Sequence, residues 1–137
     1  MLEPKKIKRR KPHDPFTGGR TNRNTEVSFG DFGLKAMSSG WITNRAIEAG
    51  RRSIIRFLKK GGKMWIRIFP DRIVTAGSNV TPMGGGKGGP DRIVAGVRAG
   101  SMLFEIAGIP EDQAKRALEL ASHKLCVRTK IVEKEGR

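Results

Sequence analysis

The segment Met83-Gly84-Gly85-Gly86-Lys87-Gly88-Gly89 restricts the fold of this 137-residue chain more than any other stretch. Glycine lacks a Cβ, so it weakens the interior of helices and strands but lets the backbone approach a ligand closely. One lysine among five glycines adds a single cation, which suits close contact with a crowded polyanion. Folding alone gives little reason for such a run in mid-chain, and we therefore interpret it as a functional loop.

The pentapeptide Pro-Asp-Arg-Ile-Val occurs at residues 70–74 and again at 90–94, on either side of this glycine run. Proline and aspartate are typical of turns, and isoleucine and valine of strands. We therefore predict that each copy is a turn followed by a strand, and that the two strands support a loop of residues 77–90 as a stem. Two copies are too few for a repeat architecture.

Lysine and arginine outnumber aspartate and glutamate by 28 to 13, which gives a net charge of +15. Small domains need a net charge of only about 2–8 for solubility, so the surplus favours a phosphate-rich polymer or an anionic membrane as partner. No stretch approaches the ~20 apolar residues that span a bilayer, and we expect no membrane association. Pro4, Pro12 and Pro15 disfavour a helical transit peptide, which predicts a cytoplasmic protein.

Residues 1–26 are predicted to form a basic N-terminal extension. Only Leu2, Ile7 and Phe16 are large and apolar in this region, which is too little to offset chain entropy by burial. A nuclear address or a solvated tail would share this composition, but the rest of the chain favours an arm that binds nucleic acid. Its clustered cations are Lys5, Lys6, Lys8, Arg9, Arg10 and Lys11.

The pattern after residue 43 predicts a helix. Thr43 is a suitable N-cap, and Gly61-Gly62 would end the helix after about residue 60. Apolar Ile47, Ile54 and Leu58 fall on one face, and basic residues fall on another. A helix with these two faces is suited to lie against phosphates. The cations of that face, called here the basic stripe, are Arg45, Arg52, Arg56 and Lys59.

Strands are predicted on both sides of this helix. Residues 27–36 are strand-like, and residues 63–69 alternate with period two, placing Met64, Ile66 and Ile68 on one face. The opposite face of that strand holds Lys63, Trp65, Arg67 and Phe69.

The second half of the chain completes the predicted domain. Ile93–Arg98 and Ser101–Ile106 resemble a hairpin, a second helix begins near Pro110, and residues 126–132 form a last strand. This order predicts a small single α+β domain over residues 27–133, with two helices packed on a largely antiparallel sheet. Residues 134–137 would form a C-terminal tail.

The glycine run resembles two nucleotide-binding motifs, but the flanking residues do not fit either motif. Gly84, Gly86 and Gly89 satisfy G-x-G-x-x-G, but no buried strand precedes them and Pro90 stands where a helix should begin. Gly88 replaces the serine or threonine that follows the lysine of a Walker loop. We therefore expect no cofactor and no enzymatic activity.

Metal and thiol chemistry are equally unsupported by the sequence. His13, His123 and the single Cys126 lack the spacing of zinc ligands, so no metal site is predicted. Cys126 lies between Leu125 and Val127 and is expected to be a small buried residue. His123 is expected at the surface.

The aromatic residues leave two interpretations open. Trp41 and Trp65 are able to stack on bases or riboses, while simple packing of Trp65 and Phe69 beneath the first helix is equally reasonable. Zinc-finger, basic-zipper and helix-turn-helix patterns are absent from the sequence. A cationic arm, a small rigid domain and a glycine loop suit a folded RNA, whose crevices admit extended chain.

Several blocks, in order along nearly the whole chain, together resemble one family. They are Met1-Leu2-x-Pro4-Lys5, Val27-Ser28-Phe29-Gly30-x-Phe32-Gly33-Leu34-Lys35-Ala36, Thr43-x-x-x-Ile47-Glu48-Ala49-x-Arg51-Arg52, Lys63-x-Trp65-Ile66-Arg67-Ile68-Phe69-Pro70-Asp71, Met83-Gly84-x-Gly86-Lys87-Gly88 and Ala121-x-x-Lys124-Leu125. The chain thus resembles the bacterial-type large-subunit ribosomal protein L-sixteen family.

This resemblance implies a structural constituent of the large ribosomal subunit that binds large-subunit rRNA and helps to shape the aminoacyl-tRNA site. Its implied partners are that rRNA, tRNA and neighbouring ribosomal proteins, without homo-oligomerisation. The loop Met83–Gly89 would lie near tRNA and the peptidyl transferase centre. Motif position and charge imply rRNA contacts at Lys5, Lys6, Arg9, Arg10, Arg51, Arg52 and Arg56, and charge adds Lys8, Lys11, Arg45, Lys59, Lys63 and Arg67.

One departure and two alternatives accompany this interpretation. Pro82 stands where many relatives of that family have a basic residue, so no phosphate contact is expected there. A free-standing RNA chaperone or assembly factor would use the same basic surface. A nucleotide-dependent enzyme would use the glycine loop. The protein is expected on cytoplasmic ribosomes, with an organellar ribosome as the other possibility.

Overall fold

A computed structural model of the protein describes Leu2 and residues 24–58, 61–75 and 90–134. Two helices and seven strands lie in these ranges, which confirms the predicted α+β class. The elements are β1 (Phe32–Ala36), β2 (Gly40–Thr43), α1 (Asn44–Ile55), β3 (Lys63–Ile66), β4 (Arg72–Thr75), β5 (Pro90–Val97), β6 (Met102–Ala107), α2 (Glu111–Ser122) and β7 (Thr129–Glu133).

The strands form two antiparallel sheets where one was predicted. The first has the order β3-β6-β1-β7, and the second has the order β2-β5-β4. The predicted hairpin of Ile93–Arg98 with Ser101–Ile106 is therefore wrong, since β5 and β6 belong to different sheets. Gly100 explains the change of direction, because its φ of 101° is open to glycine and its N–H donates to the Ala36 carbonyl of β1.

The predicted stem is confirmed by the pairing of β4 with β5. Ile73 lies opposite Ile93, and Thr75 lies opposite Pro90 at the end that leads into the glycine loop. The turn predicted at Pro90-Asp91 is wrong, since both residues already belong to β5. Proline is tolerated at the first position of a strand, where its missing N–H costs no ladder bond.

Helix α1 begins where the sequence predicted. The Thr43 hydroxyl accepts a hydrogen bond from the Ala46 N–H at 3.1 Å, which confirms the N-cap. The helix ends at Ile55, earlier than predicted, because the next N–H groups turn back to nearer carbonyls, as in the bond from Phe57 to Ile54 at 2.9 Å. The apolar face is confirmed by full burial of Ile47 and Ile54.

The core lies between the helices and the four-stranded sheet and continues to Ile42, Ala95 and Val97 of the three-stranded sheet. In α2, Pro110 precedes an acidic first turn, and Ala114, Leu118 and Ala121 are buried. Helix α1 approaches the sheet closely at Gly50, where an added Cβ would lie 3.0 Å from the Phe104 ring. The two helices pack on each other above the strands. Neither is long and apolar enough to cross a membrane, as judged over the described residues.

Two segments differ from the predicted strands. Of residues 27–36, only Phe32–Ala36 form a strand, because the backbone N–H groups at 28–30 bond to a side chain of β6 instead of to a neighbouring strand. The last strand begins at Thr129, three residues later than expected. Burial of Cys126 is wrong, since this residue is exposed and its thiol donates to the Trp41 carbonyl at 2.9 Å.

Candidate nucleic-acid interface

The basic stripe of α1 lies at the surface. Arg45, Arg52 and Arg56 are all exposed, and Lys59 falls outside the described residues. Arg52 occupies the last turn and Arg56 the C-cap, where the helix dipole favours cations. Arg45 occupies the first turn, which contains no acidic residue and where the dipole disfavours a cation by about 0.3–1 kcal/mol. Helix stability therefore does not explain the position of Arg45.

Glu48 interacts differently with Arg51 and Arg52, which the sequence analysis treated as equivalent rRNA contacts. Arg51 donates from Nε to Glu48 Oε2 at 2.9 Å and from Nη2 to Oε1, while Arg52 Nε lies 3.4 Å from Oε1. The hydrogen bond from Arg51 lowers the pKa of Glu48 from 4.5 to about 2, although partial burial opposes this. The ionised Glu48 thus engages Arg51 closely and Arg52 more weakly, and the side chain of Arg52 stays 73% exposed.

A groove extends the basic stripe between the ends of the two helices. It encloses about 140 Å³ and is lined by Ser53, Arg56, Leu120, His123 and Lys124. No acidic side chain lines it. His123 is exposed, as predicted. The two cations of the groove, Arg56 and Lys124, follow the C-terminal ends of α1 and α2.

Lys63 and Arg67, which the sequence assigned to one cationic strand face, differ in the structure. Lys63 is exposed at the start of β3. The Arg67 side chain is only 18% exposed and forms an ion pair with Glu105 of β6. Its charge is therefore balanced within the protein.

Glu105 is the principal group that the sequence reasoning missed. It is fully buried, and its Oε1 accepts hydrogen bonds from the N–H groups of Ser28, Phe29 and Gly30 at 2.9, 2.7 and 2.8 Å. Burial favours the neutral acid, but the N–H groups of Gly30 and Phe29 together with Arg67 outweigh it and lower the pKa of Glu105. The only available signal was one acid inside the apolar run Met102–Ile106.

The aromatic residues near this carboxylate lie away from the helices. Met64 and Ile66 of β3 pack against the core, so Trp65 between them faces the opposite side of the sheet. There its ring stacks with the Phe29 ring, with 6.1 Å between centroids and 24° between planes. Packing of Trp65 and Phe69 beneath α1 is therefore wrong, and Phe69 is 49% exposed.

Two predicted elements of the interface lie outside the described residues. They are the cations Lys5, Lys6, Lys8, Arg9, Arg10 and Lys11 of the extension and the loop Met83–Gly89. Both stay predictions, although the stem fixes where the loop leaves the domain. Across the ranges that the structure describes, no group of His, Cys, Asp and Glu side chains is arranged to hold a metal ion.

Comparison with known proteins covers nearly the whole chain. The family model for ribosomal protein L16p/L10e matches residues 4–132. The large ribosomal subunit protein uL16c of Ostreococcus tauri is 49% identical over 135 residues, which cover 98% of this chain and 96% of that protein. The match includes both helices, the stem and the basic stripe.

Proposed function

Because this chain belongs to the ribosomal protein L16p/L10e family, we propose that it binds the RNA of the large ribosomal subunit and helps to shape the aminoacyl-tRNA site. Members of this family are structural proteins of the large subunit and not enzymes. Membership therefore excludes the nucleotide-dependent enzyme. It also favours a resident subunit protein over a free-standing assembly factor.

The observation that carries rRNA binding is the exposed basic stripe of α1. Arg52 and Arg56 present charges to solvent, and Arg45 does so at a position that is unfavourable for the helix itself. Contact with a phosphate explains a cation at this position, since each phosphate contact releases counterions from the RNA and so favours binding. The cations of the N-terminal extension, Lys59 and Lys63 belong to the same proposal, whereas Arg51 and Arg67 are already engaged by carboxylates.

Replacing Arg45, Arg52 and Arg56 together by glutamine is expected to reduce the salt dependence of RNA binding. Each lost phosphate contact lowers the slope of log affinity against log salt by about 0.7–0.9, so the triple variant loses about 2–3 units of slope. Folding should be retained, because relief of the repulsion between Arg45 and the helix dipole partly offsets the loss of the favourable cations Arg52 and Arg56, each worth about 0.3–1 kcal/mol. Filter binding of the full-length protein to transcribed large-subunit rRNA over a series of KCl concentrations measures the slope.

A matched control removes cations from α2. Lys115 and Arg116 are paired with Glu111 at 3.0 Å and Glu119 at 3.2 Å, so their substitution by glutamine changes net charge without removing a cation of the basic stripe. We expect a smaller loss of slope per charge in this control. An equal loss per charge in both variants would show that net charge alone, and not the α1 face, determines binding.

The glycine loop is proposed to lie near tRNA. Support comes from the stem, in which Thr75 pairs with Pro90 at the two ends of the segment that contains the loop. We expect Lys87→Ala to change the free energy of unfolding by less than about 0.5 kcal/mol, as for surface substitutions. In ribosomes reconstituted with the variant, tRNA binding at the aminoacyl site should weaken, which a nitrocellulose assay with labelled aminoacyl-tRNA measures.

Lys87→Arg is the conservative control, because it keeps the charge at the same point of the loop. It should restore most of the tRNA binding that Lys87→Ala loses. The contrary outcome is that Lys87→Ala unfolds the full chain while the particles that still form bind tRNA normally. The loop would then have a purely structural role.

The compartment and the assembly state complete the proposal. The protein is ribosome-associated, and as a large-subunit protein it contacts rRNA and other ribosomal proteins. The similarity to uL16c of Ostreococcus tauri favours an organellar ribosome over the cytoplasmic ribosome expected from the sequence. We propose one copy per large subunit, without self-association.

A further inference from the structure

Residues 28–30 form a turn whose conformation is set by a buried charge. Three consecutive N–H groups converge on one oxygen of Glu105, and the other oxygen pairs with Arg67. The turn lies directly on β6, since a Cβ added to Gly30 would be 2.7 Å from the Ile106 carbonyl oxygen. Burying a carboxylate is costly unless it is fully bonded. Three hydrogen bonds to one buried carboxylate therefore fix the backbone conformation of this turn.

The residue at the centre of the turn is an exposed aromatic ring. Phe29 is 58% exposed, although its own N–H makes the shortest of the three bonds to Glu105, at 2.7 Å. Its ring stacks with Trp65, and the guanidinium carbon of Arg67 lies 4.8 Å from its centroid. Backbone and side chain are thus both oriented before any partner arrives. Such a ring loses little conformational freedom when it is covered, which favours binding.

We propose that Phe29 is a preorganised aromatic anchor that stacks on an unpaired nucleobase of large-subunit rRNA. This inference rests on the proposed function and adds a contact to base rather than to phosphate. Single-stranded RNA is recognised largely by stacking of splayed bases on aromatic rings. Lys63 lies two positions before Trp65 on the same face of β3 and is exposed, so it supplies a cation for the adjoining phosphate. The net charge of +15 likewise favours a polyanion over a basic protein at this surface.

Phe29→Leu and Phe29→Tyr test the anchor in the full-length protein. Loss of one base stack is worth about a 5- to 150-fold reduction in affinity, which we expect for Phe29→Leu on transcribed large-subunit rRNA that carries no protein. The slope of log affinity against log salt should stay at the wild-type value, because no phosphate contact is lost. Phe29→Tyr should bind within about twofold of wild type, since tyrosine presents the same π face.

Phe69 offers a matched control. It is a second exposed phenylalanine, at 49%, but no ring or guanidinium contact orients it in the described structure. Phe69→Leu should therefore have a smaller effect than Phe29→Leu, and equal losses would overturn the preorganised anchor. The anchor would also be overturned if Phe29→Leu bound the protein-free rRNA with unchanged affinity. If that variant bound the free rRNA normally but was missing from assembled large subunits, the ring would instead contact a neighbouring protein.

The two proposals fail separately. A flat salt response of the wild-type protein would remove the proposed rRNA binding by the basic stripe. A steep wild-type response with no effect at Phe29 would remove the stacking anchor alone.

Discussion

Glu105→Gln is expected to destabilise the protein by about 3–5 kcal/mol, the usual cost of breaking a buried ion pair from one side. The substitution leaves Arg67, only 18% exposed, without its counter-charge and turns an amide towards it. The three N–H groups at residues 28–30 also lose an ionised acceptor, which is stronger than a neutral one. Urea unfolding of the full chain, followed by tryptophan fluorescence, measures the change.

The pH dependence distinguishes the role of the charge from that of packing. In the folded protein the pKa of Glu105 lies below its ordinary value of 4.5, so the ionised form stabilises the fold. That contribution is complete above pH 4.5 and is lost as the pH falls through the folded pKa. Wild type should therefore lose more stability between about pH 5 and pH 3 than Glu105→Gln does.

Glu119→Gln is the control for this prediction. Glu119 pairs with Arg116 at 3.2 Å, but both side chains are more than half exposed, at 52% and 56%. Such surface pairs contribute about 0–1 kcal/mol, so the control should unfold nearly as wild type does. Parallel pH profiles for wild type and Glu105→Gln would contradict a stabilising buried carboxylate.

Phe104→Ala is expected to cost about 3–5 kcal/mol, as for other fully buried phenylalanines. Phe104 has no exposed surface and lies in the centre of the four-stranded sheet, opposite Leu34 of β1 and Ile66 of β3. Its ring meets Gly50 of α1, so truncation opens a cavity at the contact between helix and sheet. Thermal and urea unfolding of the variant measure the loss.

We attribute the expected destabilisation to the buried position of the Phe104 ring and not to the loss of an aromatic group in general. Phe69→Ala removes the same atoms at a site that is 49% exposed and should cost less than about 1 kcal/mol. Comparable destabilisation by the two variants would mean that the core is not where the structure puts it.

Local signals made much of the fold predictable. The N-cap at Thr43, the acidic first turn after Pro110 and the stem around the glycine loop each depend on residues near one another in sequence. The division into two sheets was not predictable in this way. It depends on Gly100 bonding to Ala36, a contact across more than sixty residues, which no local pattern encodes.

The candidate site was predictable to a similar degree. Helical periodicity alone placed Arg45, Arg52 and Arg56 on one exposed face. The pairing of Arg51 with Glu48 could have been inferred too, since residues three apart on a helix are neighbours. The pairing of Arg67, directly after β3, with Glu105 of β6 joins residues 38 positions apart, so the count of charges overestimated what Arg67 offers to a ligand.

Strand β5 sets the distance between the start of α1 and the base of the glycine loop. Val94 of β5 lies opposite Thr43, the residue that caps α1, and Pro90 of the same strand lies opposite Thr75 at the base of the loop. Four residues of extended chain, about 13 Å, therefore separate the origin of the helix from the origin of the loop. Whatever holds α1 in place consequently sets where the loop starts, up to the shift in register between Val74 and Thr75 at its base.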